Sequence, residues 1–276
     1  MQKLQRPRHV DRVLVAVLVV LAGAASLFFS ATRMGVVAGD YMVSLLLTPQ
    51  DSYARGTYYF DAANSSGYGL DRAATFFESA LSKDVTTPYL YHQMARVAFL
   101  RGDFETARAL IALELQRNAQ PSPSSFYISA LIDAYRGDYA SSSDFYEKYL
   151  VYDPHNWAAI NDYAWVLLKA GKAREAAVLT ARGLEENPSS PWLLNTAAIS
   201  LYEIGDIEGA RMMVRLAVEE SQRLEARDWT RAYPGNDPLI AAEGIDSFRS
   251  SVIHNMHMIG SAAQAAGYNG SKDTHE

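Results

Sequence analysis

A glycine followed by Asp or Lys recurs along this chain at Gly102-Asp103, Gly137-Asp138, Gly171-Lys172 and Gly205-Asp206, at intervals of 35, 34 and 34 residues. Seven residues before each glycine stands Ala95, Ala130, Ala164 or Ala198, and five after it stands Ala107, Ser142, Ala176 or Ala210. Small side chains at two fixed places on either side of a turn mark where two helices cross closely. Each unit offers about 14 residues of apolar period near 3.6, the glycine turn, then a second such run, which predicts an antiparallel helix pair. One pair cannot bury both of its faces, whereas stacking each pair on the next does. The chain is thereby restricted to helical arrays with nearest-neighbour cores.

Aromatic or aliphatic residues stand four places before each first-helix alanine (Tyr91, Phe126, Ile160, Leu194), and Pro154 and Pro188 close the second and third units. With a period near 34, these positions resemble the tetratricopeptide-repeat family over about half of the chain. The resemblance implies an all-α fold, a right-handed superhelical array of antiparallel helix pairs. Its repeats are expected at 88–122, 123–156, 157–190 and 191–224, with a degenerate first repeat at 54–87 and capping helices over 225–266. Three positions depart from the family pattern. Glu114 and Tyr149 stand where a small residue is usual, and Asp133 falls on an apolar position. Moving the second unit by one residue would instead turn Ile128 and Ile132 inward, so two registers are open there.

Composition narrows the chemistry. There are 276 residues, 49% of them hydrophobic, and no cysteine, which excludes disulfides, thiolate nucleophiles and cysteine metal sites. The formal net charge is −6; residues 1–12 contribute +3 and residues 13–50 contribute 0, leaving −9 for the remainder. An acidic main body argues against nucleic acid as a partner, since phosphate binding needs a basic face.

Residues 13–31 read VLVAVLVVLAGAASLFFSA, without a charge, and at about 1.5 Å per residue they just match a hydrocarbon layer of roughly 30 Å. They are read as an uncleaved transmembrane helix, with a cleaved signal peptide as the competing reading because of Ala22-Gly23-Ala24. The basic segment 1–12 then places the N-terminus in the cytoplasm and the repeats outside it, in a single-pass membrane protein whose residues 13–31 contact the lipid bilayer. Residues 32–53 form an apolar juxtamembrane segment and linker. Its apolar run, 34–47, is expected to continue the first helix, lie along the interface or pack under the array, with Pro49 as a helix stop; a hairpin return would place the repeats in the cytoplasm. Beyond the fourth repeat, prolines flank Gly235-Asn236-Asp237 in a turn. A last helix over 239–266 carries Ile245, Phe248, Val252, Ile253, Met256 and Ile259 on one stripe, and residues 267–276 form a frayed tail.

No phosphate loop, nucleophile elbow or zinc helix motif appears, so the chain is read as a non-enzyme with no cofactor. His254 and His257, spaced i and i+3 beside Met256 and Met258, are the best metal candidates; copper handling is carried as an alternative to a plain capping helix. The family resemblance implies a groove lined by the first helix of each pair, here by Tyr89, His92, Arg96 and Phe99; by Tyr127, Leu131 and Tyr135; by Asn161, Trp165 and Lys169; and by Trp192, Asn195 and Tyr202. Such a groove would bind proteins or peptides, with Asn161 and Asn195 hydrogen-bonding a peptide backbone and the aromatics supplying contact area. Paired Lys and Asn residues of the kind that clamp acidic C-termini are not in place. The expected function is a membrane-anchored scaffold for assembling a cell-envelope or secretion complex, the alternative being a self-associating structural module.

Overall fold

The computed structural model describes residues 32–61, 69–118, 120–225, 227–228 and 238–270, and among these every regular element is helical. Two compact units are formed, one from the described residues up to Leu90 other than Asp61, the other from those from Tyr91 onward together with Asp61.

The first unit contains α1 (Arg33–Leu46), α2 (Pro49–Phe60) and α3 (Gly69–Lys83). Thr32 is extended, and its side chain accepts the Gly35 N–H, so α1 begins there as a capped helix. Pro49 follows the end of α1 at Leu46, as expected of a stop, and also starts the next helix. It opens α2, where its missing N–H costs nothing, while Thr48 accepts the Asp51 N–H at 3.1 Å. The other end of α1 is held by α3, whose Lys83 ammonium donates to the carbonyl oxygens of Ser44 and, at 2.7 Å, Leu47. A cation on free carbonyls at a helix C-terminus is favourable on both hydrogen-bond and dipole grounds. Inside the unit, Arg72 donates to the buried Asp40 carboxylate at 2.9 Å and to the Tyr59 hydroxyl at 2.6 Å, so Asp40 is neutralised where it is buried. Packing of α2 on α3 depends on Gly56, where a Cβ would come within 2.6 Å of the Phe77 ring.

Among its described residues, the second unit carries four helix pairs and a long final helix. The pairs are α4 (Leu90–Leu100) with α5 (Phe104–Arg117), α6 (Pro123–Tyr135) with α7 (Tyr139–Tyr152), α8 (Trp157–Lys169) with α9 (Ala173–Glu186), and α10 (Pro191–Glu203) with α11 (Ile207–Gln222); α12 (Pro238–Gly270) follows. Gly102, Gly137, Gly171 and Gly205 all have φ between 74° and 87°, the left-handed region that ends a helix cheaply only at glycine. The following residue closes the turn by donating its N–H five residues back, as Asp103 does to Ala98 and Lys172 to Leu167. Asp103, Asp138 and Asp206 then cap the next helix with side-chain oxygens on the N–H groups of Thr106, Ser141 and Gly209. At the third turn Lys172 supplies no side-chain cap.

All eight small positions flanking these glycines are fully buried. At Ser142 the hydroxyl donates to the Ala130 carbonyl, so the one polar member of the set spends its proton across the helix crossing. Ala95, Ala107, Ile111 and Ile132 make one core cluster; Ala130, Tyr146, Tyr163, Ala164 and Ala176 make the next; and Leu194, Ala198, Ala210, Val214, Val252 and Ile259 make a third with α12. The two registers open for the second repeat do not exclude each other. Ile132 is buried toward the preceding pair, and Asp133 is buried as well, accepting the Ser141 hydroxyl at 2.6 Å. Arg108 Nε lies 2.7 Å from the other Asp133 oxygen, a close ion pair without hydrogen-bond alignment, and Arg136 stands 3.5 Å from that oxygen. Glu114 is buried too; its carboxylate takes the Asn118 amide at 2.6 Å and the His92 backbone N–H, while desolvation pushes its pKa up.

Helix α12 spans 238–270 against the expected 239–266. Val252 and Ile259 face the core, whereas Ile253 turns outward, so the buried stripe omits one member of the expected set. Arg249 donates to the carbonyls of Ser221, Gln222 and Leu224, which satisfies the C-terminal end of α11.

The expectation of a single-pass membrane protein with extracytoplasmic repeats is corrected: among the described residues, no helix is long and apolar enough to cross a membrane. The stretch 13–31 on which that expectation rests lies outside the described residues, as do residues 1–12 and 271–276.

Candidate functional site

The first helices α6, α8 and α10 and the final helix α12 contribute the walls of a pocket of about 230 Å³ in the second unit. Its mouth is made by Tyr135 and Trp165, 59% and 38% exposed, with ring centroids 6.4 Å apart. Tyr135 ends α6, and its ring leans on Phe99 and Phe104 at 5.1 and 5.5 Å. Trp165 packs edge-on against Tyr139, and the Lys169 ammonium sits 5.6 Å from a Trp165 ring centre.

Below the mouth, Asp162 accepts the Tyr127 hydroxyl at 2.6 Å and lies 3.4 Å from the Asn161 amide. Desolvation pushes the Asp162 carboxyl up to about 6, and those two hydrogen bonds only partly offset it. The residue keeps some open surface, which belongs to the pocket lining. The Tyr135 phenol is pushed up as well, first by desolvation and then by the Asp162 charge. Among the described residues no cation pairs with Asp162. Thr196 donates to the Asn161 side-chain oxygen at 2.8 Å, which ties α10 to α8.

The far wall belongs to the fold itself. Trp192 is stacked between Trp157 and Phe248, at 5.4 and 5.6 Å, and is 8% exposed; among the described residues its indole N–H finds no acceptor. Asn195 accepts the Asn255 amide of α12 at 2.9 Å. The repeat pattern turns both toward a ligand, but α12 already engages them. Tyr202 packs against the α10–α11–α12 core. His92 is buried, with Nδ1 3.0 Å from the Ser125 hydroxyl; desolvation, aided by Arg96, lowers its pKa to about 4. Arg96 donates to Gln93. Tyr89 lies just before α4 at φ 59° and is exposed. The expected groove residues that meet around the pocket are thus Leu131, Tyr135, Asn161, Trp165, Trp192 and Asn195, with Tyr127 reaching it through Asp162.

The sequence pattern does not single out Asp162 or Phe248 as site residues. Asp162 precedes Trp165 by three residues and so shares a helix face with it, which is the signal available in the sequence. Phe248 is brought in by α12 from outside the repeats. His254 and His257 are exposed, and among the described residues no group of three or more His, Cys, Asp or Glu could hold a metal ion.

Residues 134–193 match the tetratricopeptide repeat family. No curated protein sequence matches the chain. Among solved structures, MamA aligns with a TM-score of 0.54 at 11% identity, over 63% of this chain and 92% of its own. PilF of Pseudomonas aeruginosa aligns at 0.54 and 14% identity, over 74% and 88%. YrrB, described as a TPR protein with an unusual peptide-binding site, aligns at 0.50 and 18% identity, over 60% and 90%. At these identities the likeness shows the fold alone. The described helices thus share the fold of solved tetratricopeptide-repeat proteins, with the family model itself matching residues 134–193.

Proposed function

We propose that the second unit binds a peptide segment of a partner protein over the pocket between α6, α8 and α10, without catalysis. The observation that carries this reading is the pair Tyr135 and Trp165, two large rings left exposed side by side above a pocket with polar groups at its base. Aromatics of this kind offer rigid contact area with little entropy to lose, as binding hot spots do. Their backing by Phe99, Phe104 and Tyr139 holds them in place before a partner arrives. The peptide-binding site ascribed to YrrB supports the same use of this fold.

A photoreactive phenylalanine analogue at position 135 of the full-length protein, which keeps a ring there, tests the reading against the same analogue at the exposed Val178 of α9. The expected result is partner adducts from position 135 that disappear with Trp165→Ala, and none from position 178. Adducts from position 178 alone, or adducts at 135 indifferent to Trp165→Ala, would refute the groove.

A further inference from the structure

Resting on that reading, we infer that the pocket takes the alkylammonium of a lysine side chain from the bound peptide. The lining combines the rings of Tyr135 and Trp165 with one carboxylate, Asp162, and with neutral amides, while the mutually stacked Trp192 and Phe248 close the far wall; among the described residues no Lys, Arg or His lines it. Aromatic faces carry negative potential and attract cations within about 6 Å of a ring centre. Lys169, 5.6 Å from a Trp165 ring centre but outside the lining, is an example within the chain.

Charge selects among ligands. An anionic group would meet the carboxylate and the ring faces, and a purely apolar one would leave Asp162 desolvated without a counter-charge. A cation restores to Asp162 the interaction that burial removed. Geometry selects among cations. One Asp162 oxygen already takes the Tyr127 hydroxyl and the other lies 3.4 Å from the Asn161 amide, which leaves single lone pairs and no open two-pronged edge of the kind a guanidinium uses. A compact ammonium can place one N–H on a remaining lone pair of Asp162. The volume, about 230 Å³, is below the roughly 300–1,000 Å³ of small-molecule sites and suits one side chain.

The test labels the four tryptophans of the full-length protein with 5-fluorotryptophan and follows them by fluorine NMR, assigned by Trp→Phe exchange. The probes are Nα-acetyl-lysine methylamide and its neutral Nε-acetylated counterpart. The expected result is a saturable shift of the Trp165 signal with the charged probe only, weakened about tenfold or more by Asp162→Asn. The unmoved Trp157 signal and the circular dichroism spectrum report that the variant is folded. Equal shifts from both probes, or none from either, overturn the inference, and this comparison on the unaltered protein needs no variant. Groove adducts from position 135 together with no preference for the charged probe would sink the lysine assignment and leave peptide binding standing.

Discussion

Lys172→Asp should stabilise the protein by about 1 kcal/mol, because it supplies the one missing cap in an otherwise uniform set of turns. At the three other turns an aspartate accepts the N–H three residues on, at 3.1, 3.1 and 2.9 Å. Lys172 makes no such bond, although its backbone closes the same glycine turn. A side-chain cap is worth about 0.5–2 kcal/mol. An acidic group at the start of α9 adds roughly 0.3–1 kcal/mol through the helix dipole. Against this stand the loss of the exposed Lys172–Glu175 pair at 3.6 Å and a new like-charge contact with Glu175, each about a few tenths of a kcal/mol. Because repeats couple mainly to their neighbours, urea unfolding should be read together with hydrogen exchange at the first turn of α9. Lys172→Ala serves as control: it removes the cation and adds no acceptor, so it should change little. If Lys172→Asp leaves exchange at Glu175 unchanged, or behaves as Lys172→Ala does, the capping argument is refuted.

Arg108→Ala should cost about 3 kcal/mol in urea unfolding, the low end for breaking a buried pair, because Arg136 remains 3.5 Å from the stranded Asp133; Arg108→Met with Asp133→Leu should recover most of it. His92, near 4 against an ordinary 6.5, contributes stability that is complete above about pH 6.5 and is lost as pH falls toward 4. Asp162, near 6 against 3.8, contributes stability that is complete below about pH 3.8 and is lost as pH rises through 6. Each is worth up to roughly 3 kcal/mol. Asp162→Asn should therefore steepen the rise in stability from about pH 4 to 7, and His92→Gln should flatten or invert it, as read by denaturation at fixed pH. Gly183→Val should lower the thermal midpoint, since a Cβ there already comes within 2.9 Å of Ile160 and 3.1 Å of Leu193; overpacking of this kind costs about 1–3 kcal/mol.

The repeat is legible from the chain alone. Only glycine tolerates the left-handed turn and only small side chains fit the helix crossings, so the period, the turn positions and the eight buried small residues follow from residue types and spacing. Which polar residues are buried does not follow, because burial is decided by neighbours distant in the chain: Arg108 accommodates Asp133, and Asn118 with the His92 backbone accommodates Glu114. The candidate site divides in the same way. Tyr135 and Trp165 are legible as first-helix aromatics, but helical spacing alone cannot tell a ring that meets a ligand from one that meets another helix. Tertiary structure makes that choice where α12 returns from beyond the repeats, stacks Phe248 on Trp192 and bonds Asn255 to Asn195. Asp162 acquires its character there as well, since its pKa follows from the desolvation that only the assembled pocket imposes.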